Sequence, residues 1–140
     1  MMRYGKPPFL ECSTRGDKRF SPFYAVVNGK SIEDQYQAAK IFEDGSTGLN
    51  WKQAKGRKAT NMKECTLLYE RLWRRYILEH PELLRILKQA SGLCDMFAQR
   101  GNNNQAEVLW KIRNEALGLK TDRESTRQAS IDALFAMEQD

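Results

Sequence analysis

Met62, Cys65, Tyr69, Leu72, Trp73 and Tyr76 recur at spacings of three and four residues, the period that places side chains on one face of an α-helix. The stripe runs up to His80-Pro81, where a proline without an N–H, and its restriction of the preceding residue, must end the helix. An apolar face of this length has to be buried, and the segments that follow are patterned to cover it. Pro81 suits a first helical position, and Leu83, Leu84, Leu87 and Ala90 form the stripe of a second helix that closes at Gly92. A further helix is expected from about Asn104 to Leu117, with Val108, Leu109, Ile112 and Ala116 buried and Gly118 closing it. A last helix follows Asp122 and offers Ile131, Leu134 and Phe135 for packing.

The N-terminal part reads differently. Pro7-Pro8 and Gly16 leave residues 1–19 extended or irregular, with a short strand at Phe9-Leu10-Glu11-Cys12. Phe23-Tyr24-Ala25-Val26-Val27 is β-prone and runs into Asn28-Gly29, the dipeptide best suited to a tight hairpin because both residues tolerate positive φ. Ser31 then precedes Ile32-Glu33-Asp34, the pattern of a capping box. The helix it opens is expected over residues 32–42, with Ile32, Tyr36, Ala39 and Phe42 on one side and Glu33, Gln37 and Lys40 sharing another face. Gly45 and Gly48 break the pattern, and Trp51 to Lys58 is a basic short helix or loop. The fold class expected is mainly α (α+β), one helical domain with a small N-terminal β-hairpin.

At 140 residues the chain is long enough to bury a core without staples. Cys12, Cys65 and Cys94 are odd in number and scattered, so neither a disulfide framework nor a zinc ribbon is supported, and a reducing compartment fits. No apolar run approaches the roughly 20 residues of a membrane span, and the first residues lack the apolar stretch of a signal peptide. The expectation is a cytoplasmic protein with no membrane association. The net charge of +5 is uneven: residues 1–63 carry 12 Lys/Arg against 6 Asp/Glu, residues 64–140 carry 11 against 12. The positive field of the first half suits either an anionic partner, such as a nucleotide or nucleic acid, or simple solubility.

Several chemistries lack their residues. His80, the single histidine, precedes Pro81, where an N-cap or solvent-facing role outweighs catalysis, so a Ser-His-Asp or Cys-His mechanism is not supported. No H-E-x-x-H, paired C-x-x-C, EF-hand, P-loop or G-x-G-x-x-G pattern is present, and no metal or cofactor is expected. Carboxylate, amide, basic and aromatic chemistry remains. Glu33 lies in the first turn of its helix, where the macrodipole favours the anion by roughly 0.3–1 kcal/mol, so it is expected to stay ionised and to suit a general base or the stabilisation of a developing cation. From spacing alone, a solvated helix face accounts for Glu33 and Lys40 better than a catalytic role does.

Phe20-Ser21-Pro22-Phe23-Tyr24, the glycine turn, and Ser31-Ile32-Glu33-Asp34-Gln35-Tyr36-Gln37-Ala38-Ala39-Lys40 together resemble the family called NADAR or YbiA-like, whose hallmark is an F-x-x-F segment, a glycine turn and an S-x-E-H-x-Y-Q-A-x-K helix. Ala54-Lys55 with Arg57 and Lys58 resembles its basic element. His80-Pro81-Glu82-Leu83 resembles the helix start after its long middle helix, and Gly101-Asn102-Asn103 through Leu109 to Arg113 keeps the spacing of its G-x-N ending. The likeness covers about residues 19–117, leaving 1–18 as an N-terminal extension and 118–140 as a C-terminal helix of the same domain.

Members of that family are associated with hydrolysis of N-glycosidic bonds to ribose, in phosphorylated ribosylamines and in ADP-ribose attached to nucleobases. The resemblance therefore implies an N-glycosidase acting on a phosphorylated ribosyl or ADP-ribosyl substrate, free or carried on nucleic acid, with Glu33 as the catalytic carboxylate. It further implies Arg19, Lys40 and Lys55 as phosphate contacts, Gln37 and Asn103 as ribose contacts, and Phe20, Tyr36 or Trp110 as surfaces on which a base stacks. Two departures stand out. Glu33-Asp34 replaces the family's Glu-His, and the family's aspartate followed by Trp-Gly is missing, since Gly92 reaches Gly101 in nine residues. Asp95 is the only carboxylate in that interval and the candidate second acid. The alternatives are a non-catalytic module binding ADP-ribose-like nucleotides, and a nucleic-acid binder using Lys52, Lys55, Arg57 and Lys58.

Overall fold

The computed structural model describes residues 9–95 and 105–138. In chain order these form β1 (Phe9–Glu11), a 3-10 turn (Lys18–Phe20), β2 (Val26–Val27), β3 (Lys30–Ser31), α1 (Ile32–Ala38), α2 (Trp51–Ala54), α3 (Met62–Glu79), α4 (Pro81–Gln89), β4 (Gly92–Cys94), α5 (Gln105–Leu117) and α6 (Arg123–Glu138). The described residues are thus mainly helical with a few short strands, an α+β arrangement. No described helix is long and apolar enough to cross a membrane.

The centre is α3, whose spacing puts Cys65, Tyr69, Leu72, Trp73, Tyr76 and Ile77 inside while Met62 stays exposed. Trp73 is wholly buried and meets Tyr69 and Tyr76 edge to face, at 6.4 and 5.5 Å between ring centres. Pro81 starts α4 as expected, which buries Leu83 and Leu87. The His80 side chain does not cap that helix. Its Nδ1–H donates instead to the Tyr76 carbonyl at 2.8 Å. Between α3 and α5, Glu70 receives Lys111 at 2.9 Å and Arg74 reaches Glu115 at 2.6 Å. Such half-exposed pairs contribute about 0–1 kcal/mol each, so they set register more than stability.

The hairpin is present and short. Val26 pairs with Ser31 and Val27 with Lys30, and Asn28 and Gly29 take the positive φ values, 54° and 81°, that the tight turn demands. Ser31 caps α1 by accepting from the Asp34 N–H at 3.1 Å. The helix ends at Ala38, four residues short of the expected Phe42, because other groups claim its last carbonyls: Gly48 N–H donates to Ala38 at 3.0 Å, and Asn61 Nδ2 to Ala39 at 3.0 Å. Phe42 is still buried, from a loop rather than a helix face.

Three further expectations change. Gly92 does not close α4. It opens β4, which pairs in parallel with β1 (Phe9 with Gly92, Leu10 with Leu93, Glu11 with Cys94). Leu10 and Cys12 therefore belong to the main buried cluster. Ala116 of α5 is exposed, while Ala106 and Trp110 are buried instead. In α6, Ile131 and Phe135 face outward, and Ala133 is the residue pressed against Cys94. A small residue is needed there because α6 lies directly on β4.

The same closeness accounts for Gly92: a Cβ at this position would lie 2.8 Å from Ala133 Cβ and 2.9 Å from Phe9 Cδ1. Gly92→Ala is accordingly expected to destabilise the protein by about 1–3 kcal/mol, the usual cost of overpacking. The check is a lower urea midpoint with an unchanged denaturant slope; an unaltered midpoint would show that α6 can move away from the strand freely.

Candidate functional site

The start of α1 is held by the chain in front of it. Ile32 N–H donates to the Ala25 carbonyl and Glu33 N–H to the Pro22 carbonyl, each at 2.9 Å, so two N–H groups of the first turn are satisfied by the segment before the hairpin. Gln35 Nε2 reaches back to the carbonyls of Val27 and Lys30, at 2.7 and 3.0 Å, and ties the hairpin to the helix. At the other end, Asn61 accepts from Ile41 N–H and donates to the Ala39 carbonyl, joining the end of α1 to the start of α3. Glu33 thus sits on a short element fixed at both ends.

Glu33 is half-buried, and Gln37 Nε2 donates to its Oε2 at 2.5 Å. The two residues share a face as their spacing requires. Lys40 lies beyond the end of α1, yet its charge still acts on Glu33 and its Nζ stands 4.8 Å from the centre of the Tyr36 ring. Burial pushes the Glu33 carboxyl above the usual glutamate value, and the Gln37 hydrogen bond and the Lys40 charge only partly offset it. The sequence suggests the opposite direction, since a helix N-terminus favours the anion. Loss of hydration outweighs that dipole here, and the result is a carboxylate with increased affinity for a proton. Asp34, which stands where the resembled family has histidine, is exposed and contributes its backbone N–H to the cap.

Because Gln37 gives its amide nitrogen to Glu33, its Oε1 is left buried with no hydrogen-bond partner among the described residues. A buried acceptor in that state costs about 1–3 kcal/mol. Behind the pair, Tyr36 packs on the buried Tyr69 at 4.8 Å between ring centres. The Tyr69 hydroxyl is pushed well above the usual range, first by burial and then by negative charge from both Glu33 and Asp95. The two carboxylates named from the sequence therefore act on one phenol, although they come from α1 and from the end of β4. Asp95 is itself held by Gln105 Nε2, which also donates to the Cys12 carbonyl at 3.2 Å.

Other expected contacts are redistributed. Phe20 has no exposed surface and Trp110 is 8% exposed, with the Arg113 guanidinium 3.9 Å from its ring centre. Both belong to the core and present no face on which a base can stack. Tyr36 is half-buried between Tyr69 and Lys40. Arg19 is exposed and turned to Asp17, at 2.6 and 2.9 Å. Lys55 is exposed at the end of α2. Arg57 is engaged by Asp44 at 3.0 Å and lies 4.2 Å from the Phe42 ring centre, so the basic run from Lys52 to Lys58 is not uniformly available to an anion. Asn103 lies outside the described residues. Two open depressions, of about 680 Å³ around Lys120 to Gln128 and about 340 Å³ around Phe42 to Asp44 with Arg57 and Lys58, border neither Glu33 nor Gln37. Sequence reading overlooks Gln35 and Asn61 as anchors, since one amide in a helix looks like another until its partners are known. It also places Tyr69 only in an apolar stripe.

A carboxyl whose pKa is raised on folding weakens the fold in its ionised form, so its contribution is lost as pH rises from the ordinary glutamate value through the raised one. Glu33→Gln is therefore expected to melt at the same or a slightly higher temperature than the parent at pH 7, with the difference vanishing below pH 4. Thermal melts across that range check this; a large loss at pH 7 would mean that the ionised carboxylate supports the fold.

No family model, curated protein or solved structure matches the chain, and the resemblance rests on its motif residues.

Proposed function

We propose that the protein is an N-glycosidase that hydrolyses the bond between a base and a phosphorylated ribose or ADP-ribose. The observation that supports this best is the pair Glu33 and Gln37: a half-buried carboxylate of raised proton affinity beside a buried amide oxygen that has no partner among the described residues. A turn of the Gln37 side chain that exposed this oxygen would let it accept from a ribose hydroxyl and bring the sugar against the carboxylate. Breaking the C1′–N bond sends the bonding pair to the base and leaves oxocarbenium character at C1′, which a nearby carboxylate stabilises. Glu33 takes a proton from water as the water oxygen bonds to C1′, and the departing base is protonated in turn. The raised affinity of Glu33 favours this transfer. Lys40 supplies positive charge on the same side for phosphate. Asp95, whose charge also reaches Tyr69, is the second acid of this reading.

Purified protein is to be incubated with NAD, ADP-ribose, ADP-ribosylated guanine in DNA and a ribosylaminopyrimidine phosphate, and products read by mass spectrometry. Free base or ribose phosphate is expected from the wild type, with a loss of about 10²-fold or more in Glu33→Gln. The acid limb of kcat/KM should lie above the ordinary glutamate value. Ligand retained by both proteins without product would instead indicate a nucleotide-binding module.

A further inference from the structure

Phe23 and Trp51 come from separate parts of the chain and meet edge to face, with 5.8 Å between ring centres and planes at 88°. Both remain substantially open to solvent, at 43% and 39%, beside Tyr24 at 52%. Exposed rings of this size are not needed by the core, which is complete without them. They are nevertheless held firmly. Trp51 opens α2, which is fixed by reciprocal bonds between Asn50 and Gln53 at 2.9 and 3.0 Å. Phe23 follows Pro22, whose carbonyl receives the Glu33 N–H. The pair therefore adjoins the start of α1, against which α2 packs.

The stretches of chain that carry these rings are themselves basic. Residues 18–32 and 45–63, the two stretches that carry them, contain no aspartate or glutamate. Lys52 Nζ stands 5.8 Å from the Trp51 ring centre and Lys18 Nζ 5.0 Å from that of Tyr24. An apolar protein partner would strip water from these ammonium groups without replacing it. An aromatic base attached to phosphate would stack on one ring and meet the other edge to face, since their planes are perpendicular, and its phosphate would pair with the lysines.

We propose that Phe23 and Trp51 form the stacking platform for the base of a small phosphorylated nucleoside beside Glu33. This rests on the reading of Glu33 as the site, and it supplies the surface that buried Phe20 and Trp110 do not. Every nucleobase has a π face, so the platform selects for a base without choosing strongly among bases.

The test compares AMP with ribose 5-phosphate, which differ only in the base, by calorimetric titration into the full chain carrying Glu33→Gln. Adding Trp51→Ala or Phe23→Ala is expected to weaken AMP by about tenfold and to leave ribose 5-phosphate unchanged, while Trp51→Phe keeps most of the affinity. Equal losses for both ligands, an unchanged AMP affinity, or no AMP binding before the second substitution would each overturn the platform. So would tight, steeply salt-dependent binding of a single-stranded oligothymidylate in place of AMP, which would assign the rings to a polymer. Turnover by the Glu33 protein is scored separately: base-selective binding without turnover removes the hydrolase reading alone, and Glu33-dependent turnover with an indifferent Trp51 removes the platform alone.

Discussion

Burial of the Trp73 ring organises this protein. It lies at the middle of a series of aromatic contacts that begins with Tyr36 in α1, passes through Tyr69, Trp73 and Tyr76 in α3, and ends at His80. Edge-to-face and tilted rings are directional contacts, each adding about 0.5–1.5 kcal/mol beyond the area they bury, so the series fixes angles as well as distances. The Tyr76 hydroxyl carries the same order outward by donating to the Arg19 carbonyl at 2.7 Å. Neither α1 nor the turn before the hairpin can shift without disturbing α3, and Glu33 inherits its position from that packing.

The candidate site contains a local conflict. A helix start favours a negative charge, while burial removes water from it. Burial prevails, and the conflict extends to Tyr69, a buried phenol under the influence of two carboxylates. A stable core would be better served by apolar groups at these positions. That such groups are absent, and that an amide oxygen remains buried without a partner among the described residues, fits a place arranged for something other than packing alone, in line with the tendency of such conflicts to gather at functional sites.

Legibility followed the range of the interactions. Helix α3 could be read almost to the residue because its period and its proline stop are local, and the hairpin turn because Asn28-Gly29 encodes its own φ values. The early end of α1 could not, since Ala38 and Ala39 lose their helical course to Gly48 and Asn61, partners named by no local pattern. Strand β4 escaped for a similar reason: Gly92 looks like a helix terminator until Phe9 and Ala133 are seen beside it. At the site, Glu33 and Gln37 were legible from helical spacing. Which aromatics are open was not, because Phe20 and Phe23 differ only in the direction the chain turns between them.

The parallel pairing of β1 with β4 bears on the order in which the molecule assembles. Of the described elements β1 comes first in sequence, yet its partner lies beyond α4, so most of the chain must be made and brought back before the two can meet. Closing so wide a loop is entropically costly and gives little return until the helices between have condensed. The earliest strand is thus among the last pieces to lock, and during synthesis it waits as an unpaired edge. With only three residues in β1, that edge offers a stray chain little to extend, and the pairing acts as a latch set after the helical body has formed.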